Sequence, residues 1–100
     1  MKTTFTETDG RLVIAVEGEL DTDTCAQFQK DIAPFMDRKN LNVELDFAKL
    51  EYISSKALRV LISFQQAVFL NGGTLKITNV NDTVHEIFNL TGLSSSFLTE

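Results

Sequence analysis

The sequence predicts an α/β fold: a mostly parallel β-sheet with an antiparallel edge strand, packed with helices. Three observations predict it. Strand-like runs, apolar at alternate positions, recur at residues 11–17, 41–47 and 74–78, and such alternation suits a pleated strand with one buried face. Stretches of helical periodicity separate them, and strand–helix–strand crossovers are right-handed and make parallel neighbours. The first strand-like run, Thr3 to Thr6, instead enters the second through Thr8-Asp9-Gly10. Asp-Gly is a hairpin signal, so this strand lies antiparallel at an edge.

In the second strand, Arg11 to Glu17, residues Leu12, Ile14 and Val16 share one face, while Val13 and Ala15 make the other face apolar too. A strand apolar on both sides belongs in the middle of a covered sheet. The polar loop Gly18 to Thr24 follows, and Thr24 with Gln27 reads as a capping box. Cys25, Phe28, Ile32, Phe35 and Met36 recur at helical spacing. Pro34 falls inside this pattern and should kink the helix or split it in two. Leu41 to Phe47 is the third strand, Ala48 to Ile53 a connector, and Lys56 to Leu70 a long helix ended by Asn71-Gly72-Gly73. Thr74 to Thr78 is a further strand. Asn79 to Thr83 offers caps for a helix with Val84, Ile87 and Phe88 on one face, stopped by Gly92. Ser94 to Ser96 reads as a loop, and Phe97-Leu98 as a last short strand or packing segment.

One hundred residues, 43% of them apolar and eight of them Phe, suit one domain over residues 1–100 with one core. The net charge of −5 and the lack of basic clusters argue against a nucleic-acid partner. No apolar run approaches the roughly 20 residues that span a bilayer, and Met1 to Glu7 has no apolar signal region. With a single cysteine, Cys25, no internal disulfide forms. These features suit a cytoplasmic chain without a membrane partner.

In open sheets of this kind, sites lie at the carboxyl ends of the strands. Two loops should gather there, Gly18 to Thr24 and Ala48 to Ser55. Ser54 and Ser55 stand where the long helix begins, and a serine there accepts a bond from a free amide of the first turn. The same amides and the helix dipole also stabilise an anion. A hydroxyl at this spot is therefore either a cap or a place to carry a phosphate. Lys56 and Arg59 oppose the helix dipole at its positive end, a typical cost of about 0.3–1 kcal/mol each when exposed. They suit an acidic partner, an anion or a solvated surface. Asp21, Asp23 and Asp46 are carboxylates of the kind that hold Mg²⁺, but two read more simply as caps and the third as a wet strand residue. Cys25 reads as core filler, and His85 as a surface residue. No nucleophile–base pair and no metal-ligand spacing is present in the sequence, so neither an enzyme nor a cofactor is expected.

Three stretches resemble the STAS domain of the anti-sigma factor antagonist family. Gly18-Glu19-Leu20-Asp21 is similar to the segment before the family's first helix. Leu45-Asp46-Phe47, Leu50, Tyr52-Ile53-Ser54-Ser55, Leu58 and Val60-Leu61 resemble the strand, loop and helix around the family's phosphorylatable serine. Leu90-Thr91-Gly92-Leu93 resembles a Gly-Leu near its C-terminus. The resemblance implies a STAS-like fold. It also implies a non-enzymatic, cytoplasmic regulator that binds an anti-sigma factor acting as an ATP-dependent serine kinase. Against the family pattern Asp-Ser-x-Gly-Leu, Ser54 takes the Asp position, Ser55 the phosphoacceptor position, Lys56 the variable one and Ala57 the Gly position, and Leu58 matches. Ala57 puts a methyl group where the resemblance implies close approach of a partner, while favouring the helix by roughly 1 kcal/mol over Gly. Arg59 stands at a position that is often Gly. The partner-binding candidates are thus Asp21 and Thr22 on one loop, with Ser54, Ser55, Lys56, Ala57 and Arg59 on the other. Two alternatives stand beside this reading: a STAS scaffold that is never phosphorylated, and a phospho-aspartate receiver or small α/β enzyme using Asp46.

Overall fold

The computed structural model describes residues 1–91, with side chains to residue 87. The Gly92 stop, the Ser94–Ser96 loop, the last strand and the end of the Leu90–Leu93 motif lie outside the described residues.

The chain runs β1 (Lys2–Thr8), β2 (Arg11–Leu20), α1 (Thr22–Ile32), β3 (Asn42–Asp46), β4 (Leu50–Ile53), α2 (Ser55–Leu70), β5 (Thr74–Thr78) and α3 (Asp82–Thr91). Strands β1-β2-β3-β5 lie side by side, and β4 pairs with the far end of β2. Among the described residues only β1 is antiparallel; β2–β3, β2–β4 and β3–β5 are parallel. The β1–β2 turn has Asp9 at φ 49 and Gly10 at φ 81. Both central residues of a type I′ hairpin need positive φ, which is why Asp-Gly is used here.

The strands bury one face only. Leu12 and Ile14 align with Val43 and Leu45, and these with Leu75 and Ile77. All six join the core with Phe28, Phe47 and Phe64, which are fully buried. Complete burial of one such side chain contributes about 1.5–3 kcal/mol. Val13 and Ala15 are half-buried on the opposite face, where their neighbours across the register are Glu44 and Asp46. The expectation of a sheet covered on both sides therefore fails, although β2 is central, bordered by β1, β3 and β4.

Two further expectations change. Ala48 to Ile53 is not a plain connector, because Leu50–Ile53 is a strand. Its partner register slips between Gly18 and Glu19, leaving Leu50 and Ile53 buried with Glu51 and Tyr52 exposed between them. That bulge breaks the two-residue period by which strands are read. The capping box on α1 lies one turn earlier than Thr24 and Gln27 suggest. Asp21 is the cap, Thr24 is its third-position partner, and Gln27 instead donates to Asp31. Pro34 splits the first helix rather than bending it: α1 ends at Ile32 and a 3-10 turn, Ala33–Phe35, follows. Phe35 stacks on Phe5 at 5.5 Å, and Arg38 pairs with Glu7, so the turn is held to β1.

Helix α2 closes with a Schellman motif. The amide of Gly73 donates to the Val68 carbonyl at 2.8 Å and that of Gly72 to Phe69 at 3.0 Å. Gly72 has φ 80, the left-handed value this stop requires. A Cβ on Gly73 would fall 2.1 Å from the Leu41 carbonyl oxygen, so no side chain fits where β3 and β5 begin.

Candidate functional site

The site is built by β2 and β4. They run parallel, with Leu20 opposite Ile53, and each leads directly into a helix. Bonds flank their ladder at both ends: the Gly18 amide donates to the Lys49 carbonyl and the Ser54 amide to the Leu20 carbonyl, both at 2.9 Å. The starts of α1 and α2 therefore sit next to each other, and the two loops expected to gather do so.

At the start of α1, Asp21 is extended, with φ −102 and ψ −170. Its Oδ1 accepts from the amides of Thr24 (2.9 Å) and Asp23 (3.0 Å) and from the Thr24 hydroxyl (3.1 Å). The Thr24 amide is the main reason its carboxyl titrates below the usual range, and the Thr24 hydroxyl and Asp23 amide add to it. The Thr24 hydroxyl also takes the Asp21 amide and reaches the Glu19 carbonyl, both at 2.9 Å. Thr22 and Asp23 are exposed beside this cap.

At the start of α2, the two serines separate. Ser54 is the cap, extended at φ −86 and ψ 164. Its Oγ accepts from the Ala57 amide at 3.2 Å, and the residue is 8% exposed. Ser55 is the first residue of the helix and its side chain is exposed. The amides of Ser55 and Lys56 lie in the first turn, where no earlier carbonyl of the helix can reach them. Lys56 and Arg59 are exposed, and the ion pairs among the described residues use neither. The first turn holds no acidic residue.

Ala57 sits differently from what the motif suggests. It is fully buried, with its methyl group in the core beside Leu58 and Leu61. It presents no surface to a partner, because the third position of α2 faces the sheet. The structure thus brings Asp21, Thr22, Ser55, Lys56 and Arg59 to one end of the sheet, with Ser54 and Ala57 beneath them. Tyr52, 44% exposed and opposite Glu19 in the register, shares this rim and was not among the candidates. An aromatic that follows a charged residue, Glu51, within the Leu50–Ile53 run is its sequence signal.

The other carboxylates are structural. Asp46 Oδ1 accepts from the Ala48 amide and the Asn79 side chain, both at 3.0 Å, and so fixes the turn after β3. Among the described residues no group of three or more His, Cys, Asp or Glu side chains could hold a metal ion. Cys25 is buried in the core and His85 is exposed on α3. No helix among the described residues is long and apolar enough to cross a membrane.

Comparison with known proteins agrees with this geometry. The family profile described as Mlab, STAS domain, matches residues 3–100. BtrV of Bordetella bronchiseptica, which carries the name of an anti-sigma factor antagonist, is 30% identical over 97 residues, covering 97% of this chain and 84% of its own. An anti-sigma factor antagonist from Mycobacterium paratuberculosis superposes with a TM-score of 0.85 at 22% identity, covering 97% of this chain and 83% of that one. The phosphorylated form of the Bacillus cell fate determinant SpoIIAA superposes with a TM-score of 0.77 at 18% identity, covering 98% and 89%. The sheet order, the paired helix starts and the match along nearly the whole chain lead to one conclusion: this protein belongs to the STAS domain family, among the anti-sigma factor antagonists.

Proposed function

We propose that the chain is a regulatory module that binds an anti-sigma factor with serine-kinase activity and releases it when Ser55 is phosphorylated. The observation that carries this reading is the division of labour between neighbours: Ser54 closes the helix, and Ser55 holds its hydroxyl in solvent at the same helix mouth. The relatives' names support the class of partner, and a homologous fold known in a phosphorylated form supports the type of switch.

In this mechanism the Ser55 Oγ attacks the γ-phosphorus of ATP held by the partner. The bond to the ADP oxygen breaks, and the hydroxyl proton passes to a base of the kinase. The phosphate adds about −1.5 to −2 charge at neutral pH. The α2 dipole and the first-turn amides stabilise an anion at this place, so the domain keeps its fold. A partner packed against the bare hydroxyl then meets a bulky hydrated dianion and leaves. Exposed Asp21-side residues, Lys56 and Arg59 complete the contact surface, in the cytoplasm, with no cofactor held by this chain and no catalysis by it.

The test is to incubate the chain with its anti-sigma partner and Mg-ATP, map phosphate by mass spectrometry, and measure binding by Ser55→Ala and Ser55→Asp. Phosphate on Ser55 and a loss of tenfold or more in affinity for Ser55→Asp are expected, since an unpaired charge at an interface costs at least about 1.4 kcal/mol. Phosphate on another residue, or no phosphate with unchanged binding by Ser55→Asp, overturns the switch and leaves a scaffold that binds without being modified.

A further inference from the structure

The region around Ser55 carries two cations that the fold itself does not use. Lys56 and Arg59 are exposed, lie within the first five positions of α2, and stand outside the ion pairs of the described residues, which join Arg11 and Lys76 to Glu44 and Arg38 to Glu7. At a helix start a cation is mildly unfavourable, so neither residue is explained by stability. Their positions differ in one respect. Lys56 adjoins Ser55, and neighbours in a helix do not face each other. Arg59 is four residues on, one turn above Ser55 on the same face. An anion at position i with a cation at i+4 is also the favoured orientation, because each then opposes the dipole least. Arginine further presents a planar fork that takes two phosphate oxygens at once.

We propose that Arg59 is the internal counter-ion of a phosphate on Ser55. Phosphorylation then does two things at the α2 mouth. It adds a dianion, and it withdraws the Arg59 cation from any acidic surface docked there. In the bare chain the mouth offers two free positive groups; in the modified chain one of them is paired within the helix. This inference rests on the reading of Ser55 as the phosphate site, and it makes Arg59 a positioning residue for that phosphate.

The test installs phosphoserine at position 55 during synthesis of the full chain, so no kinase is needed. The second ionisation of the phosphate is followed by ³¹P NMR in the parent, Arg59→Gln and Lys56→Gln proteins. A cation that pairs with the dianion favours its formation, so Arg59→Gln should raise the phosphate pKa by about 0.2–0.4 unit. Lys56→Gln should raise it by less than half as much. The Arg59 effect should collapse in 1 M salt, which screens exposed charges beyond about 3 Å. Glu19, Asp21, Asp23 and Glu51 on the adjoining elements are common to all three proteins, as is His85 on α3, so the differences report the substituted cation. The unphosphorylated Arg59→Gln chain should melt at or slightly above the parent's temperature, because it loses a cation that opposes the helix dipole and an exposed side chain outside the ion pairs of the described residues. An unchanged titration in Arg59→Gln, or a larger change in Lys56→Gln, overturns the pairing. The two readings fail separately: no phosphate transfer from the kinase removes the switch, and an unmoved ³¹P titration removes the Arg59 counter-ion.

Discussion

Ser54 commits its Oγ to the Ala57 amide at 3.2 Å, while Ser55 leaves its own hydroxyl in solvent. Adjacent residues of one type should therefore respond differently to the same change. Ser54→Ala removes a helix cap and should lower stability by about 1 kcal/mol, or about 4–8 °C in melting temperature for a chain of this size. Ser55→Ala should stay within about 0.5 kcal/mol of the parent. Urea unfolding of both variants checks this, and equal losses would contradict the cap assignment. Ser54→Asp, which restores the residue usual in the family, should hold stability because Asp caps as well as Ser. Spacing alone marks this pair as standing at a helix start and does not tell cap from acceptor; the family resemblance is what puts Ser55 at the acceptor position. The distinction depends on where the helix begins: Ser54 is extended and its oxygen reaches the Ala57 amide, whereas Ser55 is already helical. Ala57 shows the same limit from the other side. Its place in the motif suggested a contact surface, yet the helix phase turns it into the core, and phase is set by where the cap falls.

At the level of elements, what was legible followed periodicity, and what was missed broke it. Residues 41–47 and 74–78 alternate cleanly, residues 11–17 are apolar on both faces, and all three contain strands. Leu50–Ile53 has two exposed residues between two buried ones because of the slip opposite Gly18 and Glu19, so β4 escaped notice. That strand is nevertheless what ties the α2 mouth to β2. The α1 box was misplaced because Asp21, Thr22, Asp23 and Thr24 are all capping types, and only the hydrogen bonds choose among them. The stop after α2 was plain from Asn71-Gly72-Gly73, but the reason for the second glycine lies in space rather than in sequence. Its missing side chain lets β5 start against Leu41. Gly73→Ala should therefore cost roughly 3 kcal/mol or more, in the range of severe core changes. Gly10→Ala, which meets nothing within 4 Å but keeps a positive φ, should cost less. Thermal unfolding of the two variants side by side checks the order.

Across the whole molecule, three carboxylates among the described residues are held below the usual range. Glu44 is held chiefly by its bond to Arg11, with Thr78 and Lys76 adding. Glu7 is held by Arg38, and Asp21 by the Thr24 amide. Each binds a proton more weakly in the folded chain than in the unfolded one. Their contribution is therefore complete above the unfolded carboxylate values, about pH 4–4.5, and is lost as the pH falls through the lower folded values. Urea midpoints should be level from about pH 7 to 5 and decline below about pH 4.5. Glu44→Gln should flatten that decline more than Glu7→Gln, because Glu44 is the more buried and joins two cations, whereas an exposed pair such as Glu7–Arg38 contributes little. The ladder between β2 and β4 has a last consequence. The Ser54 amide is anchored to Leu20 and the Ala57 methyl is packed below, so both ends of the helix mouth are tied to the core. If Ser55 is the phosphate site, a visitor would meet the added charge and bulk at a fixed address, and the part of the effect that comes from charge should fade with ionic strength.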